Sequence, residues 1–320
     1  MLLIEGLATY LEAKEGWLKA VDGVDLTVGK GELLGIVGES GCGKTMLALT
    51  ILRLVPKPIA KIVAGHIIFQ GMDLLKLSEE EMRRLRGKEI SMIFQEPMTF
   101  LNPVLKIGEQ IAEVLRFHLD MSPKESRERT IELLKLVGVP AAERRIHQYP
   151  HQLSGGLRQR VLIAMAVACN PQLILADEPT TALDVTIQAQ ILALLDRLRR
   201  DLRTALILIS HDLGLVAEIS DRVLVMYAGK ILEDCPAGAI LSQPYHPYTE
   251  GLLNSLPGYS VEGQIERLKT IPGHVPPLHN LPVGCRFQER CSYKMDICEK
   301  VEPTLKEKDK GHLVRCWKYE

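Results

Sequence analysis

Long apolar runs, aromatic residues and an excess of either charge are all scarce in this sequence of 320 residues. The longest apolar run that we find, residues 161–169, is far shorter than the ~20 residues of a membrane-spanning helix, so we expect no such helix. Phe, Trp and Tyr make up 5% of the residues, which disfavours a protein that binds single-stranded nucleic acid by stacking. Lys and Arg (39) balance Asp and Glu (40). We therefore expect no nucleic-acid partner bound through bulk positive charge.

A secretory signal is also missing from the start of the sequence. The first residues, MLLIEGLATY, have no basic segment before the apolar ones and reach Glu5 at once. We therefore expect a cytoplasmic protein, in which thiols stay reduced. Its seven cysteines are not interpreted as a disulfide framework.

Short apolar strands alternate with helical patterns along most of the chain. Strands are predicted at 2–11, 19–28, 33–37, 67–69, 90–94, 173–176, 205–209, 222–227 and 230–233. Helices are predicted at about 43–54, 161–169 and 187–202, with a charged helical insertion at about 104–170. This alternation indicates an α/β fold with a parallel sheet, preceded by an antiparallel hairpin. Beyond about Pro236, proline is frequent and four cysteines lie in the last 36 residues. We therefore predict one domain at 1–256 and a small loop-rich extension at 257–320.

The segment after the third strand matches the phosphate-binding pattern G-x-x-x-x-G-K-[ST]. Its residues are Gly38, Glu39, Ser40, Gly41, Cys42, Gly43, Lys44 and Thr45. Glycines allow a tight turn whose N–H groups point at phosphate oxygens, and the following helix adds its positive N-terminal dipole. In this pattern Lys44 contacts the β- and γ-phosphates, and the Thr45 hydroxyl binds Mg²⁺. The sequence thus predicts a nucleoside triphosphate site.

Two acidic residues end the apolar strand at 173–176. Asp177 at a strand tip can hold Mg²⁺, and Glu178 can accept a proton from an attacking water. A pair of acids alone is weak evidence, but together with the phosphate loop it indicates nucleotide hydrolysis.

A second glycine-containing turn precedes the apolar helix at 161–169. Ser154, Gly155 and Gly156 form either an ordinary helix N-cap or a second anion site. One nucleotide does not need two such sites in one chain. We therefore expect the second site to face a nucleotide held by another subunit of a dimer.

These motifs, in this order, resemble those of ATP-binding-cassette (ABC) ATPases over residues 1–256. Gln95 resembles the Q-loop, residues 153–157 the family signature, residues 181–184 the D-loop and His211 the switch histidine. The resemblance implies a P-loop cassette core with an antiparallel β subdomain and a helical insertion. It also implies that ATP and Mg²⁺ are bound, that Gln95 is a further Mg²⁺ ligand, and that Gln95, Glu178 and His211 act in ATP hydrolysis.

Two aromatic residues are candidates for stacking on adenine. Tyr10 is the candidate and Trp17 the alternative, because the first hairpin is long. A core or surface role fits Tyr10 nearly as well.

A narrower resemblance is to the ATPases of dipeptide and oligopeptide importers, in particular their D-type subunits. It is carried by residues 94–103, 158–160, 246–249, 271–273 and 282–287. It implies a second ATPase subunit (a homologous sister chain or an identical chain), two transmembrane permease subunits, indirectly an extracytoplasmic solute-binding protein, and a peripheral location on the cytoplasmic face of the membrane. Importers of nickel or oligosaccharides remain an alternative. A soluble cassette acting on DNA or the ribosome is disfavoured by the absence of long coiled coils and of a second cassette.

The loop after Gln95 is unusually apolar, with Met98, Phe100 and Leu101. Two interpretations stay open. The side chains are buried in the ordinary way, or they form a groove that receives a short helix of a membrane subunit.

Four cysteines near the C-terminus, Cys285, Cys291, Cys298 and Cys316, are separated by five, six and seventeen residues. These gaps do not fit the usual spacing of structural zinc ligands. Spacing alone leaves free thiols, an iron–sulfur cluster and zinc open. The resemblance favours a [4Fe–4S] cluster, because some D-type subunits carry one on four such cysteines.

Overall fold

The computed structural model describes residues 1–256 and 270–319. The strands are β1 (Leu2–Ala13), β2 (Gly16–Val28), β3 (Leu33–Val37), β4 (Ala60–Phe69), β5 (Met72–Asp73), β6 (Ile90–Ile93), β7 (Leu173–Asp177), β8 (Ala205–Ser210), β9 (Arg222–Tyr227), β10 (Lys230–Pro236), β11 (Lys306–Asp309) and β12 (His312–Val314). The α-helices are α1 (Lys44–Ile51), α2 (Glu79–Leu85), α3 (Pro97–Phe100), α4 (Ile107–Leu119), α5 (Pro123–Leu136), α6 (Ala142–Arg145), α7 (Gly155–Val167), α8 (Val185–Leu202), α9 (Leu213–Ile219), α10 (Ala237–Ser242), α11 (Pro247–Asn254) and α12 (Asp296–Lys300). None of the described helices is both long and apolar enough to cross a bilayer.

The chain divides into two compact units. The first comprises 1–28, 33–76 and 209–320, and the second comprises 29–32 and 77–208. Both mix helices with strands, in agreement with the predicted α/β class.

An antiparallel sheet of order β2-β1-β4-β5 begins the first unit. Strands β1 and β2 form the predicted hairpin, with Leu2 opposite Val28 and Ala13 opposite Gly16. Strand β4 lies on the other side of β1 and is longer than predicted. Its first seven residues, AKIVAGH, include small and polar residues that a search for continuous apolar runs does not select.

The first unit also holds the strand order β11-β12-β10-β9-β3. Strand β3 is buried along its whole length and pairs in parallel with β9, as expected of a central strand. Strands β9 and β10 form the predicted hairpin. Its turn residues, Ala228 and Gly229, both have positive φ, at 44° and 84°. Positive φ at both turn residues matches the right-handed twist of the strands.

The described part of the C-terminal segment, residues 270–319, belongs to the first unit. Strand β12 extends the sheet, with Val314 opposite Glu233 of β10. The sequence did not reveal β11, because its residues KEKD are all charged and exposed. The predicted domain boundary adjoins 257–269, which lie outside the described residues.

The second unit contains the parallel pair β6 and β7, with β8 on the other side of β7. Around these strands it carries α4 to α8, so the predicted insertion is helical. Two helices begin with a capping box, α2 at Ser78 with Glu81 and α5 at Ser122 with Glu125. Helix α7 begins at Gly155 rather than at 161, because Ser154 caps it.

Candidate functional site

The glycine loop of the first unit joins β3 to α1. A Cβ on Gly38 would lie 2.1 Å from the carbonyl oxygen of Met226. A Cβ on Gly43 would lie 2.0 Å from the carbonyl oxygen of Ala20, and the φ of Gly43 is +109°. Only glycine fits these two positions, so the loop closes tightly against the strands beneath it.

Lys44 lies inside this loop at the first residue of α1. Its side chain is buried, and Nζ donates to the carbonyl oxygens of Gly38 at 2.7 Å and Glu39 at 3.0 Å. Ser40, Gly41 and Thr45 are exposed. The loop thus combines a fixed ammonium group with exposed residues at a helix N-terminus, an arrangement suited to binding an anion. Burial raises the pKa of the Cys42 thiol, so this residue stays uncharged.

Two further side chains contact the same loop, and neither was singled out for this from the sequence. The backbone N–H of Glu39 donates to the Tyr248 hydroxyl at 2.8 Å. The Glu39 carboxylate accepts from both terminal nitrogens of Arg290 at 2.6 and 2.9 Å. The His246–Thr249 motif gave the only sequence signal for Tyr248. Arg290 is 251 residues from Glu39, and no local pattern could pair them.

Tyr10 and Trp17, the candidates for adenine stacking, both lie on the first hairpin. The Tyr10 hydroxyl donates to Asp22 at 2.7 Å. Burial, and then this hydrogen bond, raise the pKa of Tyr10 to about 12. Trp17 is 41% exposed, and Lys61 Nζ lies 5.0 Å from the centre of its ring. Neither contact favours Tyr10 over Trp17 as the residue that stacks on adenine.

His211 stands between β8 and α9 and is exposed. The next residue, Asp212, caps α9 by accepting from the N–H of Leu215 at 3.0 Å. Its own N–H donates to Ser210 Oγ at 3.1 Å. These bonds fix the backbone on the C-terminal side of His211.

In the second unit, the structure brings Gln95 and Glu178 together. Gln95 Nε2 donates to Glu178 Oε2 at 3.1 Å, and the Thr181 hydroxyl donates to the same oxygen at 2.8 Å. Glu178 has φ +44°, a conformation that is costly for a residue with a Cβ. Asp177, the last residue of β7, is 2% exposed. Two donors thus hold one oxygen of Glu178 in a fixed position.

The second glycine turn lies at the start of α7. Ser154 Oγ accepts from the N–H of Leu157 at 3.4 Å, and Ser154 and Gly155 are exposed. A Cβ on Gly156 would lie 3.0 Å from Ile187 Cγ2 of α8. This turn is therefore packed on one side and open to solvent on the other.

In the apolar loop after Gln95, one side chain is buried in the ordinary way and two are exposed. Leu101 is 1% exposed, so the prediction that it lines a surface groove is wrong. Met98 and Phe100 are 47% and 46% exposed. The Phe100 ring stacks on Phe94 with centroids 3.8 Å apart. Two large apolar side chains of α3 are thus exposed.

The four C-terminal cysteines lie in one region of the first unit. The N–H of Cys285 donates to the carbonyl oxygen of Cys298 at 2.8 Å. Burial, with a smaller contribution from the neighbouring thiols of the set, raises the pKa of Cys285 to about 12 and that of Cys316 to about 11. Burial raises the pKa of Cys291 as well, with Cys298 adding to it. The four thiols therefore lie in one neighbourhood of the C-terminal segment.

In the described part of the chain, a different trio of possible metal ligands has its ligand atoms within 4.8 Å of one another: Glu233, Cys235 and His312. Its donors are already engaged. Glu233 accepts from the N–H groups of Tyr245 at 2.7 Å and His246 at 3.0 Å, and lies 2.7 Å from His312 Nε2. Burial, then Glu233 and Asp234, raise the pKa of the Cys235 thiol and keep it protonated. We interpret this trio as a buried hydrogen-bond network.

Comparison with known proteins places the chain among transport ATPases. The profile of the family described as "ABC transporter" matches residues 21–181, and that of "Oligopeptide/dipeptide transporter, C-terminal region" matches residues 232–298. The chain is 50% identical over 320 residues to the oligopeptide transport ATP-binding protein AppD of Bacillus subtilis (strain 168), covering 100% of this chain and 97% of that one. It is 48% identical over 317 residues to the dipeptide transport ATP-binding protein DppD of the same organism, covering 99% and 94%.

A solved structure agrees with the sequence comparisons. The ATP-binding cassette MJ0796, solved as a dimer in a post-hydrolysis state with ADP and Pi, superimposes with a TM-score of 0.67 at 30% identity. The match covers 74% of this chain and 99% of that one.

Proposed function

This chain belongs to the oligopeptide/dipeptide importer family of ABC transporter ATPases, and from that premise we propose a role for each residue of its nucleotide sites. The P-loop cassette fold and the ATPase activity predicted from the motifs are confirmed by the family and by the MJ0796 structure. The transport of di- or oligopeptides is the function that its relatives carry in their names.

The glycine loop, residues 38–45, binds the triphosphate of ATP in this proposal. The observation that carries it is the buried Lys44 ammonium, held by two loop carbonyls in a turn that admits no Cβ at Gly38 or Gly43. A fixed positive charge lowers the cost of reorganisation when phosphate arrives. Thr45, Gln95 and Asp177 would supply oxygen ligands of the kind that Mg²⁺ prefers, and Mg²⁺ would neutralise charge on the phosphates.

Glu178 is the proposed base for hydrolysis. A water oxygen forms a bond to the γ-phosphorus, the bond from that phosphorus to the β–γ bridging oxygen breaks, and Glu178 accepts the proton of the water. Gln95 and Thr181 hold Glu178 Oε2, which fixes the carboxylate that accepts the proton. The exposed His211 contacts the γ-phosphate.

Glu178→Gln tests this assignment. The amide keeps the shape of the side chain but accepts a proton poorly. We expect ATP binding to persist while turnover falls by about 100-fold to 10,000-fold, the range that a general base contributes. The control is Glu143→Gln, which removes an exposed carboxylate of α6. Normal turnover in Glu178→Gln would reject Glu178 as the base.

The exposed turn of Ser154, Gly155 and Gly156 completes the ATP site of a second ATPase subunit. It lies at the N-terminus of α7, where the helix dipole favours a terminal phosphate, and MJ0796 is dimeric with its product nucleotide. Two ATPase subunits would thus close on two ATP molecules. The second subunit is either a homologous sister chain or a second copy of this chain.

The exposed face of α3 transmits this closure to the two permease subunits. Met98 and Phe100 follow directly on Gln95, a proposed Mg²⁺ ligand, so a displacement at the nucleotide reaches them within a few residues. An apolar face of this kind suits a short helix laid across it. The chain would then lie on the cytoplasmic face of the membrane and receive cargo delivered by an extracytoplasmic solute-binding protein. Nickel or an oligosaccharide stays the alternative cargo, since the ATPase does not contact the cargo.

The four gathered cysteines would hold a [4Fe–4S] cluster. Such a cluster takes four thiolates on four different irons, whereas zinc draws its four ligands to ~2.3 Å from one atom. In the described chain no three of these cysteines bring their sulfur atoms within 4.8 Å of one another, which fits the larger cofactor better. Bound, the cluster would supply cross-links between segments of a loop-rich region. Protein purified without oxygen should contain iron and sulfide in equal amounts, and neither should remain in Cys291→Ser.

A further inference from the structure

A buried arginine of the C-terminal segment contacts the phosphate loop. Arg290 ends a short 3₁₀ helix, Gln288–Arg290, directly before Cys291, and its side chain is 5% exposed. Its two terminal nitrogens meet the two carboxylate oxygens of Glu39 at 2.6 and 2.9 Å. This fork geometry is specific to arginine and is stronger than a single contact.

The rest of the Arg290 side chain is equally constrained. Its Nε donates to the carbonyl oxygen of Pro272 at 2.8 Å. The guanidinium carbon lies 5.8 Å from the centre of the Tyr227 ring and 5.9 Å from that of Phe287. The guanidinium therefore has one position, and the Glu39 carboxylate is fixed by it.

Glu39 is a negative charge on a loop that receives a triphosphate. Its carbonyl oxygen accepts from Lys44 Nζ, and its N–H donates to Tyr248, so movement of Glu39 would displace the ammonium that contacts phosphate. An unpaired carboxylate here would also repel the phosphates, with little screening at a half-buried position. The ion pair with Arg290 holds Glu39 in place and neutralises the charge of its carboxylate.

We propose that Arg290 is a positioning residue for ATP binding, which neutralises Glu39 and fixes the phosphate loop without touching the nucleotide. This inference rests on the proposed ATP site at residues 38–45. It makes the C-terminal segment, far along the chain from the motifs, part of the nucleotide-binding apparatus.

The test measures the affinity of the full chain for the non-hydrolysable analogue AMP-PNP with Mg²⁺. Arg290→Gln should weaken binding about tenfold in the native background, which corresponds to about 1.4 kcal/mol. In the Glu39→Gln background the same change should cost less than about threefold, because no carboxylate is left to repel phosphate. If Arg290→Gln does not fold, Arg290→Lys replaces it in the same cycle, with about threefold coupling expected.

Two results would overturn the proposal. One is unchanged affinity in Arg290→Gln with only a lower unfolding temperature, which would make the pair purely structural. The other is an equal loss in both Glu39 backgrounds, because Arg290 would then act by another route. Arg222→Gln is the matched control. It breaks another arginine–carboxylate pair of the same unit, to Asp234 at 2.8 Å, and should leave the affinity unchanged.

The same experiment separates failure of this inference from failure of the proposed ATP site. Lys44→Ala should abolish binding. If it does not, the site itself is wrong. If Lys44→Ala abolishes binding and Arg290→Gln has no effect, only the role of Arg290 fails.

Discussion

Gly43→Ala offers a quantitative test of the phosphate loop. The new Cβ would lie 2.0 Å from the carbonyl oxygen of Ala20 and 2.8 Å from Met226 Cε. The Met226 side chain can turn away, but the backbone oxygen of Ala20 cannot, because β2 is paired with β1 along its length. Ordinary contact begins at 3.4 Å, so the start of α1 must move by more than 1 Å.

Two costs add in this variant. A residue with a Cβ at positive φ costs about 1–2 kcal/mol, and relief of the overlap costs about 1–3 kcal/mol. We expect the free energy of unfolding to fall by about 2–5 kcal/mol. Affinity for AMP-PNP with Mg²⁺ should fall by at least about tenfold, because Lys44 follows directly and moves with the helix.

Gly41→Ala is the matched comparison. Gly41 also has positive φ, +79°, but no atom lies within 4 Å of its Cβ position. It should therefore lose only about 1–2 kcal/mol. Urea unfolding gives the stability of both variants. If Gly43→Ala is no less stable than Gly41→Ala, the close approach at Ala20 does not exist and the argument for the loop geometry fails.

Two other predictions concern pH and assembly. Complete burial lowers the pKa of His246 to about 4, below the ~6.5 of an unfolded histidine, so stability should fall as pH falls from ~6.5 to ~4, by about 3 kcal/mol in total. His246→Asn keeps a cap acceptor for the Tyr248 N–H and should flatten the unfolding free energy across that window; a slope equal to that of the native chain would exclude His246. Met98→Glu should weaken co-purification with the permease subunits and leave nucleotide binding intact, whereas Leu101→Glu should unfold the second unit because Leu101 is buried. Normal assembly of Met98→Glu would remove α3 from the interface.

Much of the fold could be predicted because its signals are local. Strand β3 is a continuous apolar run, and its observed bounds, Leu33–Val37, equal the predicted ones. The glycine loop was found because a tight turn, an ammonium and a helix start must follow one another in sequence. Helix α8 has one apolar face, and its observed start, Val185, precedes the predicted one by two residues because Asp184 caps it.

The features that were missed depend on contacts between distant segments. Leu101 looks like its exposed neighbours Met98 and Phe100 in sequence, and only packing shows that it is buried. The pairing of Glu39 with Arg290 joins residues 251 positions apart. Strand β12 is three residues long and exists because β10 offers an edge to pair with. No pattern along the chain carries such information.

The account depends most on ATP held between facing subunits. The direct measurement is a structure of Glu178→Gln with ATP and Mg²⁺ in the assembled transporter. The account predicts that Ser154 Oγ of each ATPase subunit lies within hydrogen-bond distance of the γ-phosphate bound at Lys44 of its neighbour, where that neighbour is a second copy. For a sister chain, it predicts the same contact at the equivalent phosphate loop. A closed, nucleotide-loaded assembly in which the Ser154 turn stands away from every phosphate would contradict it.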